Sequence, residues 1–577
     1  MKTDIVIRIA GTAGEGALSL GDILGQAFGK LGWEMLLSFN FDPEVRGEKP
    51  SFSQVRVSDE KVLSQGEEVD VLLAMNGDVL ALNIADLAPH GVVVYDGRPI
   101  DLFHGEQEFN PALPEGAKGV PVPLDLISES ELGFPAAKNM AALGALTRLL
   151  GLPQPLMHTL VESRFKRKDE RTLTANLKAL DIGFERVGAE PLYSFGERGA
   201  PSLVLSGNRA SGLGAMAGGL RFYAGYPITP ATEVMEQLAR DLPSLGGTVV
   251  QAEDEISAIG MTLGASFAGL RSMTATSGPG LSLMTELLGL SAMAEVPCVV
   301  LDVQRGGPST GLPTRPEQSD LNLAMTGGHG DTSRMVMAPT NVEECFYAVG
   351  RALGLAEKYQ APVIVLTDQY IAYRRETVEA LDPSAAMLEA ATSPTDEELK
   401  DYRRYRITRD GVSPMARPGL EGGYFTATGL EHDEYGRPAY DAATHQAMSD
   451  KRARKLDSAM DEKWFHRFGP EDAEVGVITW GGSVGAAREA AQMACDAGVK
   501  TAMFYSVFIN PLPEDEIREF IKGMRRIIAP EMNHAGQFAR ILRERFLVEV
   551  EPLSVVEGRP ISARMIYRKI AGGSSHM

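Results

Sequence analysis

Apolar and polar positions along this chain come in blocks, and the blocks repeat one order: apolar run, turn, helical stretch. DIVIRIAG (4–11) is a β-branched run, and GTAGEG (11–16) leads from it into ALSLGDILGQAFGKLG, where apolar residues recur at helical spacing. VDVLLAMN (69–76) and GVVVYDG (91–97) are short apolar runs ended by turn residues, the pattern of buried parallel strands. AAKNMAALGALTRLLG (136–151) predicts a helix stopped by its glycine. The succession returns in PSLVLSG, GTVVQAE, RSMTATSG, PCVVLDVQ and APVIVLTD, with helical stretches between. It returns again from VGVITWGGSVGAAREAAQMACDAGV through TAMFYSVFINPLP to RRIIAPEMNHAGQFARIL. Strand and helix in alternation predict an α/β chain of three open, mostly parallel-sheet domains.

Two stretches break the rhythm. The charged seam ESRFKRKDERTLTANLKALDIGFERVGAE and the Asp-, Arg-, Pro- and Gly-rich stretch before residue 470 lack the strand–turn–helix order. The predicted division is therefore 1–165, a linker over 166–197, a second domain over 198–380, an irregular linker or arm over 381–470, and a third domain over 471–573. A length of 577 residues agrees with a prior of roughly three to four domains.

Composition narrows the function. With 44% hydrophobic and 23% charged residues the chain is of ordinary globular type. No apolar run approaches the roughly 20 residues that cross a bilayer, and Asp4 and Arg8 interrupt the opening, so a cytoplasmic protein with no membrane contact is expected. A net charge of −21 repels phosphate backbones and argues against nucleic acid as a partner. Cys298, Cys345 and Cys495 stand apart, with no CxxC pair, and cannot together hold a four-thiolate cluster or a structural zinc. No metal site is expected on this chain.

GTAGEG has the order G-x-x-G-x-G, which is not the dinucleotide fingerprint, although glycines opening a helix let backbone N–H groups approach an anion. WGGSVG (480–485) is more simply a strand-to-helix turn. GxxxxGK[ST] and HExxH are both missing. The middle block is richer. In GYPITPATE (225–233), Pro227 and Pro230 fix their own φ and restrict their predecessors, which holds Ile228 and Thr229 in a stiff turn. QAEDEISAIG, TSGPG and QRGGPSTGLPT follow in order. Taken singly, a Pro-rich connector, an acid at a helix start and a surface arginine are ordinary. Ligands in open parallel sheets, however, gather at the carboxyl ends of strands, and Thr229, Glu255, Ser277 and Arg305 are all predicted there.

This ordered set resembles the α subunit of 2-oxoacid:ferredoxin oxidoreductases. GTAGEG, DPEVRGEKPSFSQVRVS, VDVLLAMN and KNMAALGAL resemble that family's γ subunit, here fused at the N-terminus, and FINPLP and PEMNHAGQ resemble the tail of the α subunit. The fused layout is most similar to the two-subunit 2-oxoglutarate:ferredoxin enzymes. The resemblance implies a middle domain of the thiamine-diphosphate-binding, pyrimidine type. Glu255 matches the carboxylate that faces N1′ of the aminopyrimidine, a choice among Glu253, Asp254 and Glu255 that rests on the motif. Pro227, Ile228 and Ser277 match other cofactor-side positions. Arg305 matches the residue that pairs with the substrate's 1-carboxylate, where a guanidinium fork suits a carboxylate. Thr229 matches a threonine whose hydroxyl touches the substrate's carboxylate or oxo oxygen, and Thr310 and Thr314 match further pocket positions. Gly11, Gly14, Gly16 and Arg46 are the coenzyme A candidates.

A GDG followed by a distant Asn, the motif for the magnesium of thiamine diphosphate, is missing, since NGDVLALN (76–83) is far too short. The resemblance therefore implies a β subunit that carries the diphosphate–Mg2+ end of the cofactor and the iron–sulfur cluster. It also implies ferredoxin as acceptor and a dimer of α–β heterodimers. The expected activity is oxidative decarboxylation of 2-oxoglutarate to succinyl-CoA, or the reverse reaction, which fixes CO2. Pyruvate, branched-chain and aryl 2-oxoacids remain alternatives, and Arg315, Thr310 or a residue of the β subunit is the candidate for the far carboxylate. A non-catalytic nucleotide-binding scaffold is the competing class, which has no need of Thr229, Glu255 and Arg305 together.

Overall fold

The computed structural model describes residues 3–40, 50–97, 99–101, 106–108, 113–389 and 393–572. The chain divides into two compact units, 1–205 with 374–380, and 206–373 with 381–577.

The first unit is built on an eight-stranded sheet. The β-branched run forms its strand Asp4–Thr12, with Ile7 and Ile9 facing one core and Val6 and Ala10 another, as alternation requires. Val69–Ala74, Leu87–Asp96 and Lys118–Val122 follow in parallel on one side. Pro50–Ser58 and Glu34–Asn40 pair antiparallel on the other. Arg375–Val378 and then Leu203–Ser206 complete that edge. PSLVLSG, expected in the second block, thus finishes the first sheet, because a strand edge with open N–H and C=O groups takes up any extended segment within reach.

The seam expected as a linker over 166–197 is folded. Glu170–Arg186 is a helix whose N-cap Asp169 accepts the Thr172 N–H at 2.9 Å, and its charged residues occupy the exposed side. Ala179 and Leu180 are buried against helix Lys138–Leu150, which ends at Gly151 with φ 62° as predicted. The two helices cross on glycine: a Cβ at Gly144 would stand 2.0 Å from the Leu180 carbonyl oxygen, and one at Gly183 2.0 Å from that of Ala141.

The second unit holds a seven-stranded and a five-stranded sheet. The first has the order Thr248–Gln251, Phe222–Gly225, Ser272–Thr276, Cys298–Gln304, Pro362–Asp368, Met335–Met337, Phe508–Asn510. It is parallel up to its last member, where Phe508–Asn510, from FINPLP, adds antiparallel. The second comprises Phe465–Phe468, Thr501–Ser506, Val475–Thr479, Arg526–Glu531 and Glu551–Ser554.

Residues 381–470 pack within this unit. Helix Ala442–Ala459 sends Lys451 and Lys455 to the buried Glu295, with N–O distances of 2.6–2.7 Å. Arg404 donates to the Glu295 carbonyl at 2.6 Å and to Gln360 Oε1 at 2.9 Å. Burial alone would raise the Glu295 carboxyl, but Lys455, Lys451 and Arg404 outweigh it and hold it well below the usual range. Burial pulls Lys455 down to about 7 against the attraction of Glu295. Lys451, Lys455 and Arg404 are therefore internal, not solvated.

Candidate active site

Four parallel strands deliver the predicted residues to one edge of the seven-stranded sheet. Phe222–Gly225 ends before the YPITP turn, Thr248–Gln251 before Glu255, Ser272–Thr276 before Ser277, and Cys298–Gln304 before Arg305. The turn is fastened from below by Asn208, whose Nδ2 donates to the Pro230 carbonyl at 2.9 Å. Thr229 is half-buried, as are Pro227 and Ile228, and Ile228 leans on the core. Arg305, almost fully buried, donates from Nη1 to the Thr229 carbonyl at 2.6 Å. Two residues 76 positions apart in sequence are thereby tied directly.

Geometry separates the three neighbouring acids. Glu253 is exposed, and Asp254 is the N-cap of helix Glu255–Phe267, accepting the Ser257 N–H at 2.7 Å. Glu255 alone is buried, and its carboxylate lies over the first turn of helix Gly278–Met293. A Cβ at Gly280 would stand 2.6 Å from Glu255 Cγ and 2.8 Å from its Oε1. A Cβ at Gly278 would stand 2.7 Å from both carboxyl oxygens of Asp320. The TSGPG sequence has its reason here: two carboxylates from other elements press on a helix start that favours anions and leaves no room for side chains. Ser277 is the N-cap of that helix, wholly buried, and its Oγ meets no partner among the described residues.

The loop after Arg305 carries Thr310, exposed, and Thr314, buried. It folds on itself through Gly306 N–H to the Arg315 carbonyl (2.9 Å) and Leu312 N–H to the Gly306 carbonyl (2.8 Å). Its far end is gripped by the C-terminal block. Gln318 donates from Nε2 to the Trp480 carbonyl at 2.9 Å, and its Oε1 accepts from Ser483 at 2.7 Å and from the Met532 N–H at 2.9 Å. Asn533 and Gln537, of PEMNHAGQ, donate to the carbonyls of Gln318 (3.1 Å) and Ser319 (2.8 Å).

Gly11, Gly14 and Gly16 belong to the first unit, and Arg46 lies outside the described residues. Gly14 and Gly16 have φ of 99° and 82°, the left-handed region that favours glycine. The turn already encloses an anion of its own. The Glu15 carboxylate accepts from Thr12 N–H (2.7 Å), Thr12 Oγ (2.8 Å), Asn76 Nδ2 (2.8 Å) and Lys138 Nζ (3.0 Å). Cys298, Cys345 and Cys495 form no disulfide, and burial pushes the Cys298 thiol up to about 11.

Sequence reasoning missed Asp302, Glu317 and Asp320. Asp302 lies within an apolar strand, and Asp320 stands just before a short helix, where it passes for a turn residue. An acid inside the apolar run CVVLDVQ was the one available signal.

Comparison with known proteins matches this architecture throughout. Residues 6–186 match the family described as pyruvate ferredoxin/flavodoxin oxidoreductase, 213–451 its thiamine diphosphate-binding domain, and 473–562 the pyruvate:ferredoxin oxidoreductase core domain II. The chain is 31% identical to subunit alpha of 2-oxoacid:ferredoxin oxidoreductase 2 from Aeropyrum pernix, over 97% of this chain and 96% of that one. It is 33% identical to the 2-oxoglutarate oxidoreductase subunit KorA of Mycobacterium tuberculosis, over 98% of this chain and 91% of that one. The solved 2-oxoglutarate:ferredoxin oxidoreductase of Magnetococcus marinus, with 2-oxoglutarate, coenzyme A and succinyl-CoA bound, superposes with a TM-score of 0.93 at 40% identity, covering 99% of this chain and 100% of that one. The chain belongs to the 2-oxoacid:ferredoxin oxidoreductase family, as an α subunit. No described helix is long and apolar enough to cross a membrane.

Proposed function

We propose that this chain is the α subunit of a coenzyme A-dependent 2-oxoglutarate:ferredoxin oxidoreductase. The carrying observation is the match to the Magnetococcus marinus enzyme over the whole length of both chains, that enzyme holding 2-oxoglutarate and succinyl-CoA. The site's residues fit thiamine diphosphate: Glu255 is buried with its carboxylate over a turn that only glycine can make, and the orphaned Ser277 Oγ adds a polar group at the same helix start. When bound, the cofactor supplies the carbon that attacks a 2-oxo group and the electron sink for loss of CO2. Glu255 holds the aminopyrimidine and exchanges its proton at N1′. Arg305 and Thr229 orient the 2-oxoacid, the guanidinium against the 1-carboxylate and the hydroxyl against the same end of the molecule. The Arg305–Thr229 hydrogen bond supports this division, since it fixes both groups before substrate arrives. Thr310 and Thr314 line the continuation of the pocket, and Arg315, Thr310 or a residue of the β subunit receives the far carboxylate.

In this reading a β subunit brings the diphosphate–Mg2+ end of the cofactor and the iron–sulfur cluster, in a dimer of α–β heterodimers that passes electrons to ferredoxin. The wide spacing of the three cysteines supports placing the cluster elsewhere. Coenzyme A contacts at Gly11, Gly14, Gly16 and Arg46 belong to the same proposal. The test is viologen reduction by the chain purified with its partner subunit, given coenzyme A and 2-oxoglutarate, pyruvate or 2-oxoisovalerate in parallel. Reduction with 2-oxoglutarate alone is expected. Activity only with another acid would overturn the substrate and keep the chemistry.

A further inference from the structure

Behind Arg305 lies a second acidic device that the reading above does not use. Asp302 is entirely buried on strand Cys298–Gln304, three positions before Arg305, and neither of its carboxyl oxygens meets a donor among the described residues. Asp320 Oδ2 is equally without one. The two carboxyl groups lie within hydrogen-bonding reach, and each acts on the other's proton affinity. Two ionised carboxylates in dry surroundings repel, whereas one retained proton turns the repulsion into a hydrogen bond.

The rest of the surroundings is polar without supplying a cation to Asp302. Asp320 is pinned by its N–H to Gln304 Oε1 at 3.1 Å, and its carboxyl presses on Gly278. Glu317, on the loop, repels it, and Arg305 attracts it. Asp368, on the adjoining strand, is turned to the Ile371 N–H at 2.9 Å and the Gly482 N–H at 3.1 Å. Helix Gly278–Met293 presents only glycine at that point.

We propose that Asp302 and Asp320 are positioning residues that share one proton, and that the charge of this pair sets how strongly Arg305 attracts the carboxylate of a 2-oxoacid. The inference rests on the role given to Arg305 under the proposed function. Burial, and then the Glu317 charge, push Asp320 up to about 6, and burial with the Asp320 charge raises Asp302 well above the usual carboxylate range. Near neutral pH the pair carries one negative charge that offsets Arg305. Below about 6 it is neutral and the guanidinium acts with its full charge. Substrate binding therefore tightens as pH falls through that step.

The experiment uses the assembled enzyme, native and with Asp320→Asn or Asp302→Asn. In the native enzyme KM for 2-oxoglutarate should fall roughly three- to tenfold on the acid side of the step, the size a screened unit charge supplies. Asp320→Asn should flatten that dependence, and Asp302→Asn, which offers Asp320 an amide donor, should move it to lower pH. Both changes should fall on KM rather than kcat. Infrared spectra supply a readout independent of turnover: a protonated-carboxyl stretch at neutral pH in the native protein that Asp302→Asn removes. An unaltered band in Asp302→Asn, or the native KM profile in both variants, would overturn the proposal. Failure of the native enzyme to turn over any 2-oxoacid would instead strike the proposed function, and the infrared result would still decide the shared proton.

Discussion

Two glycine turns open helices in this chain, and they use their glycines differently. In GTAGEG the glycines are there for backbone conformation, Gly14 and Gly16 being left-handed, and the donors of the turn are taken by the turn's own Glu15. In TSGPG the constraint is space: Gly278 and Gly280 are bare because Asp320 and Glu255 arrive from elsewhere in the fold. The first turn is closed by a local residue, and the second is completed only by tertiary structure. A glycine motif alone does not tell an anion-ready turn from one already filled, and the identity of the filling carboxylate does.

The sharpest way to break the contrast is Glu255→Gln in the assembled enzyme. Shape is kept and the proton-exchanging group is lost, so viologen reduction should fall by about 10²- to 10⁴-fold, with assembly intact on gel filtration. Substantial retained turnover would remove Glu255 from the cofactor. Gly280→Ala tests the spacing itself. Its Cβ would sit 2.0 Å from Thr276 Oγ as well as against Glu255, and the displaced carboxylate should cost roughly 10²-fold in kcat. Arg305→Lys removes the fork and its bond to Thr229, so KM for the 2-oxoacid should rise about tenfold and kcat should drop. An unchanged KM with every 2-oxoacid would refute the assignment.

The smallest effect belongs to the other turn. Burial would raise the Glu15 carboxyl, but the Thr12 N–H and Lys138 outweigh it and hold it below the ordinary value. A carboxyl depressed in the folded state contributes stability above its unfolded pKa and loses it as pH falls through the folded one. Glu15→Gln should therefore lower the thermal midpoint slightly at neutral pH, by the equivalent of about 1 kcal/mol, and flatten the loss of stability on acidification. A midpoint matching the native protein at every pH would show that the turn does not depend on its internal anion.

The sequence showed the sheet-end residues well, because apolar runs such as GTVVQAE and PCVVLDVQ mark where buried parallel strands stop. Glu255 was legible for the same reason, standing where strand gives way to helix. Residues 166–197 misled because the exposed side of helix Glu170–Arg186 is heavily charged and its buried side is narrowed by a glycine crossing. Residues 381–470 misled in the opposite sense: Lys451, Lys455 and Arg404 look solvated in sequence, yet they surround one buried glutamate. Asp302 and Asp320 were invisible as a pair, since nothing in a linear pattern links two acids across a loop.

Gln318 bears on how this protein can be divided. The segments matching separate family domains, 213–451 and 473–562, look like exchangeable modules. Yet the loop that follows Arg305 is held by a side chain read from both directions, by Trp480 and Ser483 on one strand end and Met532 on another. A gene break between these modules would leave two pieces obliged to rebuild a polar seam around a single amide before that loop regained its footing. That seam makes the last block an inherited part of the catalytic subunit, and a replacement block would have to arrive with matching partners for Gln318 already in place.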